Sequence, residues 1–267
     1  MILPDYHMHS SFSIDSDTSM SELCEQAIKL GMTEIAFTDH VDIGAPLDGG
    51  FVIDFDAYML HFLEIKEKYK KKLHVTLGVE VGLMEQVLEK SARLLNSYPF
   101  EFIIASTHVV DMLDLHAGDY CRGKTREQAY EGYLTNVLKM LTQFNDFSVC
   151  GHLDFVRRYG GYADNFFAEG EFISIIDEIF KVLIHKNKGI EINTSGYRCN
   201  LGSTLPTLWI LKRFRELGGE IVTVGSDAHT TGYVGKYFEV ATQMLVDAGF
   251  KYYTTFRNLQ PTFVKID

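Results

Sequence analysis

Residue types that hold metal ions recur along this chain at the same place in each repeat of its pattern. His7 and His9 stand two apart in Asp5-Tyr6-His7-Met8-His9. His40 closes Thr38-Asp39-His40, Glu80 closes Gly78-Val79-Glu80, His108 follows Thr107, and His152 follows Gly151. Glu191-Ile192-Asn193 and Ser226-Asp227-Ala228-His229 continue the series, and Asp15 lies just beyond the first histidine pair. Two histidines two apart on an extended strand point the same way, so one ion can take both. Asp227 and His229 repeat that spacing. Imidazole, carboxylate and water together suit zinc, iron or manganese. Glu80 ends an apolar run, where an uncompensated carboxylate is costly to bury. Singly, each histidine reads as an ordinary strand-end residue. Jointly, they require elements that bring them to one place.

Those elements are legible as an alternation of strands and helices. Short apolar runs predict strands near 3–8, 33–38, 74–80, 101–107, 148–152, 189–193 and 221–225, as expected for a parallel sheet covered on both faces. Helical patterns fill the gaps near 19–30, 55–71, 85–96, 126–144, 171–187, 205–217 and 235–248. Ser19-Met-Ser-Glu22 has the form of a capping box, and Gly31 suits a helix C-terminus. Gly189 and Gly218-Gly219 are expected to stop helices, and Pro206 to sit in a first helical turn. Repeated right-handed strand–helix units predict an α/β fold, a distorted (β/α)7 TIM-like barrel of parallel strands, with a doubly wound open sheet as the other possibility. Residues 1–267 read as a single domain. In a barrel the strand C-termini converge on one rim, where active sites lie. The scattered ligands then become one cluster, and the loops 41–54, 109–125 and 153–169 surround it. His61, His74 and His185 fall away from that rim and read as structural. His116 lies on a rim loop within reach of a substrate.

Bulk properties narrow the function. The formal charge of −11 disfavours a broad phosphate-backbone surface, so no nucleic-acid partner is expected. A small phosphorylated substrate stays compatible, because metals and a few arginines supply local positive charge. The start, MILPDYHMHS, lacks the pattern of a secretory signal, and no apolar run is long enough to span a bilayer, so no membrane partner is expected. Cys24, Cys121, Cys150 and Cys199 form no C-x-x-C pair and read as free thiols in a reducing cytoplasm.

The ordered set H-x-H, T-D-H, G-x-E, S-x-H, G-H-x-D and S-D-A-H resembles the polymerase and histidinol phosphatase (PHP) superfamily over essentially the whole chain. Together with Glu191-Ile-Asn193 and the chain length, it is similar to the monofunctional histidinol-phosphate phosphatases. The resemblance implies three divalent metal ions (Zn, Mn or Fe). His7, His9, Glu80 and Asp227 would hold the first, and Glu80 would bridge to a second held by His108 and His152. Asp15, His40 and His229 would hold a third. Many relatives have histidine where this chain has Asp15, a harder ligand that would make the third metal more labile or different in kind. Asp17 is a nearby competitor for that role.

The implied reaction is hydrolysis of L-histidinol phosphate to L-histidinol and phosphate, in histidine biosynthesis, by attack of a metal-bridging hydroxide. Glu80, Asp227 and His229 would be catalytic, with Asp227 or His229 delivering a proton to the leaving oxygen. Arginine pairs well with phosphate. Arg158 and Arg198 lie on rim loops and are the candidates to bind it, with Arg157 not separable from its neighbour. Asp111 and Asp114 are candidates to meet the substrate amine. The rival readings are another PHP phosphoesterase, a protein-tyrosine phosphatase or nuclease, and an amidohydrolase-type barrel. The last usually carries a metal-bridging lysine late in strand four, where this chain reads Phe-Ile-Ile-Ala-Ser-Thr-His. Oligomeric state is left open.

Overall fold

A computed structural model describes residues 3–46 and 50–266. An extended segment, residues 5–9, leads to helix α1 (Met20–Lys29), whose N-cap is the expected capping box. Ser19 Oγ accepts the Glu22 N–H, and the Glu22 carboxylate accepts the Ser19 N–H. Gly31, at φ 80°, ends that helix. The chain then runs through β1 (Glu34–Ile43), β2 (Gly50–Phe51), α2 (Phe55–Tyr69), β3 (His74–Gly82), α3 (Leu88–Leu95), β4 (Phe102–Ser106), β5 (Val109–Val110), β6 (Leu113–Asp114) and α4 (Arg126–Gln143). Next come β7 (Val149–Cys150), α5 (Ile173–His185), β8 (Gly189–Asn193), α6 (Ser195–Arg198), α7 (Leu208–Glu216), β9 (Val222–Gly225), α8 (Phe238–Asp247), β10 (Tyr252–Arg257) and β11 (Gln260–Lys265).

The main sheet has the order β2-β1-β3-β4-β7-β8-β9, parallel throughout except for the β1–β2 pair. Residues 5–9 close it. On one side the Ala36 and Thr38 N–H groups donate to the Asp5 and Met8 carbonyls at 2.8 and 2.9 Å. On the other, the Tyr6 and His9 N–H groups donate to the Val224 and Ala228 carbonyls, both at 2.9 Å. The opening segment is therefore the seventh stave, between β1 and β9. A barrel results, and the open-sheet alternative is set aside. The pairing of this stave reduces to bridges at Asp5–Ile35 and Met8–Ala228, so the strand expected at 3–8 is an extended segment rather than a regular strand.

Period-two alternation divides the strand side chains. Phe37, Val75, Leu77, Val79, Ile103, Ile190, Ile192 and Val224 join Leu23, Phe62, Tyr133, Ile179, Phe214 and Leu245 of the helices in one core. Ala36, Phe102, Ile104, Val149 and Ile221, near the strand starts, form a second core with Tyr6 and Phe256. Phe256 belongs to the β10–β11 hairpin, which no expected element covered. Its turn places Asn258 and Leu259 at φ 50° and 62°, as a tight two-residue hairpin requires. Tyr6 Oη accepts the Phe256 N–H at 2.9 Å and donates to Glu34, and Arg257 grips both Glu34 oxygens at 2.7 Å. The hairpin thus covers the end of the barrel where the strands begin.

Other expectations shift. β1 runs to Ile43, so residues 41–43 of the expected 41–54 loop are strand, and residues 47–49 lie outside the described residues. The 109–125 loop contains the short β5–β6 pair. Pro206 precedes helix α7 instead of opening it, because Thr207 is the N-cap. Asn187, at φ 55°, follows the α5 C-cap, and Gly189 begins β8 rather than stopping a helix. The four cysteines are free thiols.

Candidate metal centre

Strand register delivers Glu80 to the centre of the rim. The parallel pairing sets His40 of β1 opposite Glu80 of β3, and Glu80 opposite Ile104 of β4. Glu80 Oε2 lies 3.2 Å from His7 Nε2, 3.5 Å from His9 Nε2 and 3.0 Å from His40 Nδ1. Its Oε1 lies 3.2 Å from His108 Nε2 and 2.8 Å from His152 Nε2, and accepts the Ser106 hydroxyl at 2.6 Å. One carboxylate therefore meets five histidines, with a different subset at each oxygen.

Asp227 and His229 approach from beyond β9. Asp227, at φ 55°, sets its Oδ1 3.7 Å from His9 Nε2 and 3.5 Å from His229 Nδ1. Asp15 Oδ2 lies 3.0 Å from His229 Nε2 and 3.5 Å from His40 Nε2. Asp15 is half exposed, and Asp17 is exposed without a contact to this group. All nine residues expected as metal ligands thus share one locality. Donor atoms lie within 4.8 Å of one another in three overlapping sets: His7, His9 and Glu80; His9, His40 and His229; His40, Glu80 and His108. His40 contacts both Asp15 and Glu80, so it is not confined to the Asp15 end. His61, His74 and His185 are on α2, at the start of β3 and at the end of α5, away from the cluster.

Several buried residues hold these side chains in place; Glu191 and Asn193 stand out in the sequence as a strand end, but the supporting contacts do not. Glu191 Oε1 lies 2.5 Å from His7 Nδ1, while its Oε2 accepts the His152 N–H at 2.9 Å. Asn193 donates to the same carboxylate at 3.2 Å. Asp42 Oδ1 lies 2.9 Å from His108 Nδ1. Asp39 accepts from the Ser10 N–H, the Ser10 hydroxyl and the Ser13 hydroxyl, and Ser13 Oγ lies 3.2 Å from His9 Nδ1. Asp5 accepts the Ser226 N–H at 2.9 Å and the Gly235 N–H at 3.0 Å, which sets the turn carrying Asp227. Such partners orient ligands and tune their basicity. Gly225 must lack a side chain, because a Cβ there would overlap His7 and Glu191.

The charges of the cluster call for cations. Burial would raise the Glu80 pKa, but His7, His108 and His40 hold it well below the usual range. Burial would lower the His7 pKa, but Glu191 and Glu80 raise it well above. His108, opposed by burial, is pushed up to about 10 by Asp42 and Glu80. His9 is held well below its ordinary value by burial and by His229, His40 and His7. The histidine nitrogens that face these buried carboxylates are the atoms a divalent cation would take. Nδ1 of His152 is buried with no hydrogen-bond partner. The donor set thus fits a divalent metal centre.

A cavity of about 320 Å³ opens beside the cluster. Arg158 Nη1 lies 3.3 Å from Asp227 Oδ2, and Arg198 Nη2 3.4 Å from Asp227 Oδ1, so both expected arginines face it. Burial would raise the Asp227 pKa, but Arg198, His7 and Arg158 hold it well below the usual range. Arg157 points the other way and pairs with Asp154. Asp114 lines the cavity, and its Oδ1 accepts the Ala117 N–H at 2.7 Å. Asp111 does not line it; it is exposed in the β5–β6 turn at φ 53°. His116 and Tyr159 meet across the opening, Nδ1 to Oη, at 3.1 Å.

Comparison with known proteins places this geometry in context. The family described as PHP domain matches residues 5–195. A probable histidinol-phosphatase of Clostridium acetobutylicum is 32% identical over 248 residues, 92% of this chain and 94% of that protein. The histidinol-phosphatase of Lactococcus lactis is 31% identical over 258 residues, 96% of this chain and 95% of that protein. The crystal structure of a Lactococcus lactis histidinol phosphate phosphatase, complexed with zinc, L-histidinol and phosphate, superposes with a TM-score of 0.92 at 30% identity. That match covers 97% of this chain and 98% of the other.

Proposed function

The chain belongs to the PHP domain family, and on that premise we propose that it is a metal-dependent phosphomonoesterase hydrolysing L-histidinol phosphate to L-histidinol and phosphate, within histidine biosynthesis. The observation that carries this reading is one cavity faced both by the Glu80-centred cluster and by Arg158 and Arg198. The rival readings are not favoured, since the relatives that match over nearly their whole length carry histidinol-phosphatase names.

We assign His7, His9, Glu80 and Asp227 to a first metal, Glu80, His108 and His152 to a second, and Asp15, His40 and His229 to a third. Bound divalent ions would lower the pKa of a coordinated water and offset charge on phosphoryl oxygens. The protein's own groups do the rest. Arg158 and Arg198 both line the cavity, Arg198 with its guanidinium also donating to the Ser226 and Asp227 carbonyls, and the two are assigned to bind phosphoryl oxygens. The same guanidiniums keep Asp227 ionised, so it begins the cycle as a proton acceptor. It can take a proton at a carboxylate oxygen and return it to the leaving alkoxide, with His229 as the alternative donor. Asp114, at the cavity wall, pairs with the substrate ammonium. A site built around that ammonium rejects analogues lacking it, because its carboxylate would then be left unpaired.

The test is kcat/KM for histidinol phosphate against p-nitrophenyl phosphate, a phosphotyrosine peptide and small sugar phosphates. A preference of at least about tenfold, roughly 1.4 kcal/mol, is expected for histidinol phosphate. Prolonged chelation should abolish turnover, and zinc or manganese should restore it. Full activity in protein shown to be metal-free by elemental analysis would overturn the metal assignment. A better rate with the phosphotyrosine peptide would overturn the substrate.

A further inference from the structure

Arg157 is among the largest side chains that the fold buries completely, and the chemistry above gives it no task. Its guanidinium makes three bonds to three segments. Nη1 donates to Asp154 Oδ2 at 2.8 Å, Nε to the Asn165 carbonyl at 2.8 Å, and Nη2 to Ser203 Oγ at 3.0 Å. Neither Asp154 nor Arg157 has an exposed side chain. A buried ion pair is weak as a source of stability, because desolvation offsets the attraction, but it can specify one conformation.

The conformation it specifies is that of the phosphate-facing arginines. Phe155–Arg158 is a 3₁₀ turn, in which side chains three apart eclipse. Phe155 and Arg158 therefore share the face that lines the cavity, while Asp154 and Arg157 share the buried face. The Asp154–Arg157 bond fixes the rotation of this turn, and with it the aim of Arg158. The third arm acts on Arg198. Ser203 belongs to the loop that follows α6, and its carbonyl packs so closely on Gly196 that a Cβ there would overlap it. Leu201 N–H also donates to the Gly196 carbonyl at 2.9 Å. Arg198, at the end of α6, is thus tied through Ser203 to the turn that bears Arg158.

We propose that Arg157, with Asp154, is a positioning residue for phosphate binding: it sets the spacing between the two loops that present Arg158 and Arg198. This rests on the reading of those two arginines as phosphate ligands. The experiment uses the full chain loaded with metal, and inorganic phosphate as the competitive probe. Arg157→Met should raise the phosphate KI about tenfold, the scale of one lost charge-assisted hydrogen bond, with metal content unchanged. Arg157→Lys keeps the charge beside Asp154 but cannot span three partners. It should restore the melting temperature while KI stays raised. Ser203→Ala, which removes the link between loops and a local bond to the Thr204 carbonyl, should raise KI about threefold and keeps the test open should Arg157→Met not fold. In an Arg158→Ala/Arg198→Ala background, Arg157→Met should have no further effect, as expected for a residue acting through those two.

A phosphate KI that recovers with melting temperature in Arg157→Lys would reduce Arg157 to a structural role and overturn the proposal. Equal effects of Arg157→Met in both backgrounds would overturn it too. If the double alanine variant binds phosphate normally, the phosphate grip itself is wrong and this proposal falls with it. If the double variant binds weakly while Arg157→Met and Ser203→Ala bind normally, only this proposal falls. Because the probe is inorganic phosphate, none of these outcomes depends on the identity of the leaving group.

Discussion

Glu80 offers its two oxygens to two different sets of histidines, Oε2 to His7, His9 and His40, and Oε1 to His108 and His152. A glutamine keeps the shape but gives up one anionic oxygen. Glu80→Gln should therefore lose bound metal and at least about a thousandfold in kcat/KM. Asp227→Asn should lose much of kcat while retaining appreciable metal if, as proposed, Asp227 carries the proton as well as holding the first metal. Elemental analysis beside steady-state kinetics separates the two, and wild-type kcat/KM in a fully metallated Glu80→Gln protein would refute the bridging role. The residues proposed to carry chemistry were legible because they stand at strand ends with two-residue spacing, as His7 with His9 and Asp227 with His229 do. The contacts that support them were not. Glu191 was legible as part of a strand-end series but not as a partner of His7, and Asp42 falls where a loop was expected. Only closure of the sheet turns those carboxylates inward onto His7 and His108.

Among elements, the long segment 160–172, which follows the cavity residue Tyr159, is tethered at the start of α4. Arg126 grips both oxygens of Glu171 at 2.6 and 2.7 Å and also binds the Phe166 carbonyl. The hydrogen bonds from Arg126 hold the Glu171 pKa below its ordinary value. A carboxyl depressed on folding contributes stability that is present above its unfolded pKa of about 4.3 and is lost as pH falls through the lower folded value. Glu171→Gln should thus destabilise the protein by about 1 kcal/mol at neutral pH. The difference from wild type should shrink to nothing in acid below the folded pKa. Denaturant melts of both proteins at several pH values measure this, and a difference that persists unchanged in acid would exclude the ion pair as its source. Helices were legible to within a few residues because their caps are local, as Ser19 with Glu22 shows. The C-terminal hairpin was missed although Tyr253, Thr255, Val264 and their neighbours have strand-like types. Nothing local says that Phe256 fills the barrel floor against Tyr6 and Phe102.

For the molecule as a whole, strand–helix alternation predicted a parallel barrel but left an open sheet possible. The two sets of hydrogen bonds made by residues 5–9 decide between them. Among the described residues no helix is long and apolar enough to cross a membrane. The seam at residues 5–9 also bears on lifetime. This stave can pair only when residues 34–43 and 222–228, nearly 180 positions apart by their numbering, are both in place. Long-range closure of this kind is entropically costly and comes late in folding. His7 and His9 ride on the seam, so the energy of metal binding there should be absent from the folding transition state and present in the native state. Interactions of that sort slow unfolding and leave folding rates alone. In stopped-flow experiments, saturating zinc or manganese should change the refolding rate by less than about twofold and slow unfolding by about a hundredfold or more. A refolding rate that rises with metal concentration would instead place the seam in the nucleus. On the expected result the ions set how long the folded barrel survives, as a latch holds a door that has already swung shut.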